Sequence, residues 1–132
     1  MNGASKFEIR FDPSAYREYQ KLDGSIVTIV DKKLAELEFR ADVIGKLLIN
    51  KPNSQLAGCR EIKLRDAGIR IVYKITGEKV DILRIVYILT IEKRADEYVF
   101  KLADQRLADL ERFTSSSLSK HLKKAPVYRR KK

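Results

Sequence analysis

The sequence predicts an α+β fold: a small, antiparallel-rich sheet in the order strand, two helices, three-strand meander, C-terminal helix. Three observations carry that expectation. Apolar and polar residues alternate over Lys6–Phe11 and again over Arg60–Arg65 and Ile69–Ile75, the period of a half-buried strand. Between these stretches apolar residues recur every three or four positions, as on one face of a helix. A nearly unbroken apolar run from Val80 to Ile91 then reads as a strand covered on both faces. At 132 residues the chain suits one core, since domains cluster near roughly 100–150 residues.

In the first strand Phe7, Ile9 and Phe11 share a side. Asp12-Pro13 ends it and opens a helix, because Asp12 can cap and Pro13 lacks only an N–H that would be orphaned there. Ala15, Tyr16, Tyr19 and Leu22 give that helix its apolar face. Asp23-Gly24-Ser25 breaks it, with Ser25 offered as the next cap. The second helix is expected from Ile26 to about Arg40 or beyond, with Ile26, Val30, Leu34 and Leu37 inward. Asn50–Ser54 reads as a loop. Arg60–Arg65 and Ile69–Ile75 form a hairpin around Asp66-Ala67-Gly68. A second turn is expected at Thr76–Lys79, before the Val80–Ile91 strand. Ala95–Phe113 reads as the last helix, carrying Tyr98, Leu102, Leu107 and Leu110.

Charge divides the chain into two parts. There are 28 Lys and Arg against 18 Asp and Glu, a net charge of +10, which points to a phosphate-bearing partner. Residues 114–132 contain Lys120, Lys123, Lys124, Arg129, Arg130, Lys131 and Lys132 and no acid, so most of that excess lies there. Residues 1–113 are read as the domain. Residues 114–132 are expected to be a basic, flexible tail, with Thr114–Ser117 as linker. That tail either adds salt-sensitive affinity for a polyanionic partner or merely solubilises the chain.

Cys59 is the only cysteine, so no intrachain disulfide can form, which fits a reducing cytoplasm. It reads as a small buried residue. No signal peptide is visible at the start, and no apolar run approaches the ~20 residues of a membrane-spanning helix. A cytoplasmic protein without membrane attachment is expected. One Cys and one His give no zinc spacing, and no Gly-rich phosphate loop is present, so no metal or cofactor is expected. His121, among lysines, reads as a solvated side chain.

The remaining chemistry is cationic. Strand parity puts Lys63, Arg65, Arg70 and Lys74 on the polar faces of two neighbouring strands, where like charges need acids or a polyanion to compensate them. Glu61 and Asp66 offset part of this, and a solvated charged face is the competing reading. Arg94 follows the long apolar strand and can join the same face.

These residues carry a family resemblance. The run from Glu61 to Tyr73, EIKLRDAGIRIVY, resembles the strand–turn–strand of RelE-type toxins. Glu92-Lys93-Arg94 followed by Ala103 and Arg106 resembles that family's C-terminal pattern. Phe11-Asp12 through Leu22-Asp23 matches its first helix, and Leu56-Ala57-Gly58 its approach to the sheet. The likeness spans roughly residues 6–110 in one register. It implies a RelE/ParE-like fold and the toxin of a bacterial toxin–antitoxin pair, an mRNA interferase that cuts the messenger in the ribosomal A site. There the messenger's own 2′-hydroxyl attacks phosphorus, without a metal.

By that resemblance Lys63, Arg70 and Arg94 match functional cations: Arg70 and Arg94 stabilise phosphate charge, and Lys63 supports the base or the charge. Arg65, Lys74, Tyr98 and Phe100 are the RNA-binding candidates. Two positions depart from the pattern: Glu61 stands for a lysine and Phe100 for a tyrosine. Glu61 reads either as general base or as a salt-bridge partner, whereas Phe100 can stack but cannot transfer a proton. Tyr98 has a core reading as well. The implied partners are a cognate antitoxin, the ribosome and mRNA. A gyrase-poisoning ParE-like toxin and a non-catalytic RNA- or ribosome-binding relative are the alternatives.

Overall fold

The computed structural model describes residues 5–48, 56, 58–93 and 96–129. In chain order the elements are β1 (Phe7–Phe11), α1 (Pro13–Gln20), α2 (Gly24–Ile44), β2 (Lys46–Leu47), β3 (Cys59–Leu64), β4 (Ile69–Val80), β5 (Leu83–Glu92), α3 (Asp96–Glu111) and α4 (Ser115–Lys124). The strands form one sheet in the order β1-β5-β4-β3-β2. Among the described residues only β1 and β5 pair in parallel; the other three strand pairings are antiparallel, as the meander dictates. The expected α+β architecture is present, with the short β2 as an additional edge strand.

Alternation within the strands divides the core into two layers. Phe7, Ile9, Phe11, Ile62, Ile69, Ile71, Tyr73, Val86 and Ile88 face α1 and α2, where Ala15, Val30, Leu34 and Leu37 meet them. Cys59, Val72, Ile85, Tyr87 and Leu89 face the other way, toward Val99, Ala103, Leu107, Leu110 and Leu122 of α3 and α4. Burial of β5 on both faces explains its continuous apolar run.

Asp12 caps α1 by accepting from the Ser14 and Ala15 amides, with Pro13 at the first helical position. The cap of α2 is Asp23 rather than the expected Ser25; its carboxylate accepts from the Ile26 amide. α2 runs to Ile44, with non-helical backbone at Arg40. The expected Asn50–Ser54 loop lies outside the described residues.

Two larger expectations are corrected. Thr76–Lys79 is not the hairpin turn: β4 continues to Val80, and Asp81-Ile82 turns the chain so that Val80 pairs with Leu83. The Gly77 region is an irregularity between Ile75 and Lys79, where the Thr76 side chain bonds the Ile85 carbonyl and accepts from the Glu78 amide. Residues 115–124 are not a flexible tail. Thr114 caps α4, Leu122 is fully buried, and Tyr128 packs into the α1–α2 layer. Beyond α4 the chain pairs with β1: the Phe11 amide donates to the Pro126 carbonyl at 2.8 Å and the Tyr128 amide to the Ile9 carbonyl at 2.9 Å. Among the described residues no helix is long and apolar enough to cross a membrane.

Candidate functional site

The turn at residues 65–68 sets the register of the candidate site. Gly68 has φ +67, a backbone region open to a residue without a Cβ. Closing there places Lys63 directly opposite Arg70 and Glu61 opposite Val72. Glu61, Lys63 and Arg70 therefore project from one face of the β3–β4 hairpin. Arg70 Nη1 donates to Glu61 Oε2 at 3.0 Å, and Lys63 Nζ lies 3.8 Å from Glu61 Oε1. Glu61 is only 5% exposed, whereas Lys63 is exposed and Arg70 half-buried. An arriving anion thus meets the two cations before the carboxylate that bridges them.

The other expected residues are less tightly gathered. Arg65 is exposed in the turn. Lys74 stands opposite Cys59 on β3 and Tyr87 on β5, four residues along the strand from Arg70, about 13 Å at 3.3 Å per residue. Cys59 is fully buried, and burial pushes its thiol up to about 11 despite the opposing pull of Lys74, so it is a packing residue and a poor nucleophile. Tyr98 is 42% exposed on the first turn of α3 rather than in the core. Phe100 is half-buried and packs against the α3–α4 core layer. Arg94 lies outside the described residues. At the C-terminal end of β5, Glu92 is the register partner of Arg70.

A second polar assembly was not legible in the sequence. Arg106 on α3 forks onto both carboxylate oxygens of Glu18 on α1, at 2.9 Å each, and donates to the Leu89 carbonyl. Glu18 also accepts from the Thr90 hydroxyl and the Ile91 amide. Burial alone would lower the Arg106 guanidinium, but Glu18 and then Asp12 more than compensate and raise it. The pair locks α1, β5 and α3 together. Beside it a cleft of about 420 Å³ is lined in part by Asp12, Tyr87, Arg106, Phe113 and His121. His121 is not a freely solvated side chain: its ring stacks on Phe113 at 4.5 Å, and Nε2 lies 3.2 Å from the Tyr87 hydroxyl.

No family model matches the chain. Among curated proteins, the mRNA interferase toxin RelE of Escherichia coli K12 is 31% identical over 97 residues, covering 74% of this chain and 93% of the relative. The chain belongs to the RelE toxin family. A putative RelE-like toxin protein of Escherichia coli is 30% identical over 105 residues, covering 77% of this chain and 98% of its own length. Among solved structures, a mutant of E. coli toxin RelE in the free state superimposes with a TM-score of 0.61 at 29% identity, over 79% of this chain and 99% of that one. The RelE toxin of the intact E. coli RelBE toxin–antitoxin complex gives 0.55 at 29% identity, over 67% and 98%. This chain is thus longer than the RelE span it shares with them.

Proposed function

We propose that this RelE-family chain is the toxin of a bacterial toxin–antitoxin pair and cleaves messenger RNA in the ribosomal A site. The observation that carries the reading is the Lys63–Arg70 pair, held opposite each other over a buried carboxylate. In the reaction the messenger's 2′-oxygen bonds to the adjacent phosphorus as its proton leaves. The bond from phosphorus to the 5′-oxygen breaks, leaving a cyclic phosphate and a protonated 5′-hydroxyl. Negative charge gathers on the phosphoryl oxygens, where fixed cations act most strongly. Arg70 meets that charge, joined by Arg94 on the strength of the family likeness, and Lys63 supports it. These side chains supply the charge stabilisation, so the step is metal-independent in this reading. The ribosome supplies much of the substrate geometry.

Glu61 acts as a positioning residue for Arg70. Its carboxylate is nearly covered and already engaged by both cations, so it aligns the guanidinium fork. Glu61→Gln should lower the cleavage rate without moving the pH–rate profile. Loss of the acidic limb of that profile would instead make Glu61 the general base. Arg65 and Lys74 extend the cationic path for the RNA backbone, and exposed Tyr98 offers a ring for stacking. Phe100 has no hydroxyl to give and supports the packing of α3.

Similar solved structures include RelE bound to its antitoxin RelB. A cognate antitoxin, acidic where it meets Lys63 and Arg70, is the corresponding partner here. The reading is tested by adding purified protein to a reconstituted translation reaction and mapping messenger ends by primer extension. New ends within A-site codons that vanish without ribosomes are expected. Intact messenger with loss of gyrase supercoiling would replace the reading with a ParE-like one, and ribosome association alone would leave a binding protein.

A further inference from the structure

The basic segment after α3 is folded, and its fold sorts its residues. Leu118, Leu122 and Ala125 turn into the α3–α4 core layer. Lys120, Lys123 and Lys124 fall on the opposite side of the helix and are exposed, as are Arg112 before it and Arg129 after it. No acidic residue occurs from Arg112 to the end of the sequence. Both ends of α4 are fastened. Thr114 caps the first turn, and Arg10 Nη1 donates to the Lys123 and Ala125 carbonyls at 2.9 and 2.7 Å. Next to the helix start Phe113 is 39% exposed, and its ring is braced by stacking on His121.

We propose that α4 is a second RNA-binding surface, in which Lys120, Lys123 and Lys124 contact the phosphate backbone and Phe113 is an adjoining platform for a base. Three features favour RNA. Repulsion among clustered cations is relieved by a polyanion, and each phosphate neutralised releases counterions. A braced, partly exposed aromatic ring beside cations is the arrangement that binds unpaired bases. An amphipathic helix that binds lipid must offer its apolar face to the bilayer, whereas the apolar face of α4 is already buried in its own core. The proposal extends the RNA reading above but uses none of its chemistry.

The test is fluorescence anisotropy of the full chain with a labelled single-stranded RNA across a salt series. Combined Lys120→Ala, Lys123→Ala and Lys124→Ala should flatten the plot of log affinity against log salt by about 2, at about 0.7 per lost phosphate contact. A Lys→Arg version at the same three positions should keep the wild-type slope, which separates charge from folding. Unchanged slope and affinity in a folded alanine variant would overturn the proposal, as would loss of binding in the arginine version. Tighter binding to phosphatidylserine vesicles than to RNA, abolished by the same substitutions, would assign the surface to lipid. An acidic antitoxin peptide that binds through these lysines while RNA does not would assign it to that partner. Cleavage plays no part in the readout. A chain that binds through α4 yet cuts nothing would sink only the cleavage reading, and one that cuts but ignores these lysines would sink only this one.

Discussion

Tyr73 links the two halves of one core layer and imposes a pH limit on the fold. Its hydroxyl donates to the Ala41 carbonyl at 2.7 Å, and its ring is fully buried. Burial pushes that hydroxyl from 10.0 up to about 12, with Arg60 pulling the other way. Below pH 10 the group is protonated in both folded and unfolded chains, so its contribution is intact. Between about pH 10 and 12 only the unfolded chain ionises, and stability falls as pH rises, by on the order of 2–3 kcal/mol. Burial also raises Tyr19 and Tyr87, which deepens the same loss. Denaturant midpoints measured across that alkaline range should therefore decline, and a flat profile would contradict the packing described for these rings. Glu61 makes a different point about single residues. Its strand parity was readable from alternation, but its burial was not, because burial depends on what the helices and neighbouring strands cover.

The β3–β4 hairpin was legible because two alternating runs flank a turn with a glycine at its end, and one register satisfies both apolar faces. The β4–β5 hairpin is hidden in the sequence because Gly77 resembles a turn residue, whereas the actual turn uses Asp81 at φ +55 and a highly exposed Ile82. The junction of α2 and β2 depends on Gly45 for space rather than for backbone freedom. A Cβ there would stand 2.2 Å from Tyr73 Oη and 2.9 Å from Arg60 Cβ. Gly45→Ala should cost about 1–3 kcal/mol, as overpacking does, because Tyr73 must leave its place against Ala41. An unchanged thermal midpoint would show that the ring yields freely. The Glu18–Arg106 lock joins residues 88 positions apart, and no local pattern announces such a pair. Arg106 belongs to the family-like C-terminal pattern, yet in this structure it fastens helices together.

The C-terminal segment changes how the molecule closes. The serines and lysines of this segment mask the spacing of Leu118, Leu122 and Tyr128, which marks an ordered helix and a strand-like return rather than a tail. In the fold, α4 covers part of one core layer, and residues 126–128 occupy the β1 edge and bring Tyr128 to the other layer. Removing residues 114–132 should cost about 3–6 kcal/mol, on the scale of losing two large buried side chains, and expose an edge strand prone to pairing. A lowered melting temperature with concentration-dependent light scattering is the expected result, and a truncated chain as stable and monodisperse as the full one would refute it. In the function proposed, Arg70, set beside Lys63 by strand register, stabilises the charge that develops when messenger RNA is cut. The most direct test is the single-turnover cleavage rate of ribosome-bound messenger by wild type and Arg70→Ala, with folding of the variant verified by its melting curve. A fall of about 10²–10³ is predicted, as for loss of one oxyanion donor, and a wild-type rate in the folded variant would contradict the claim.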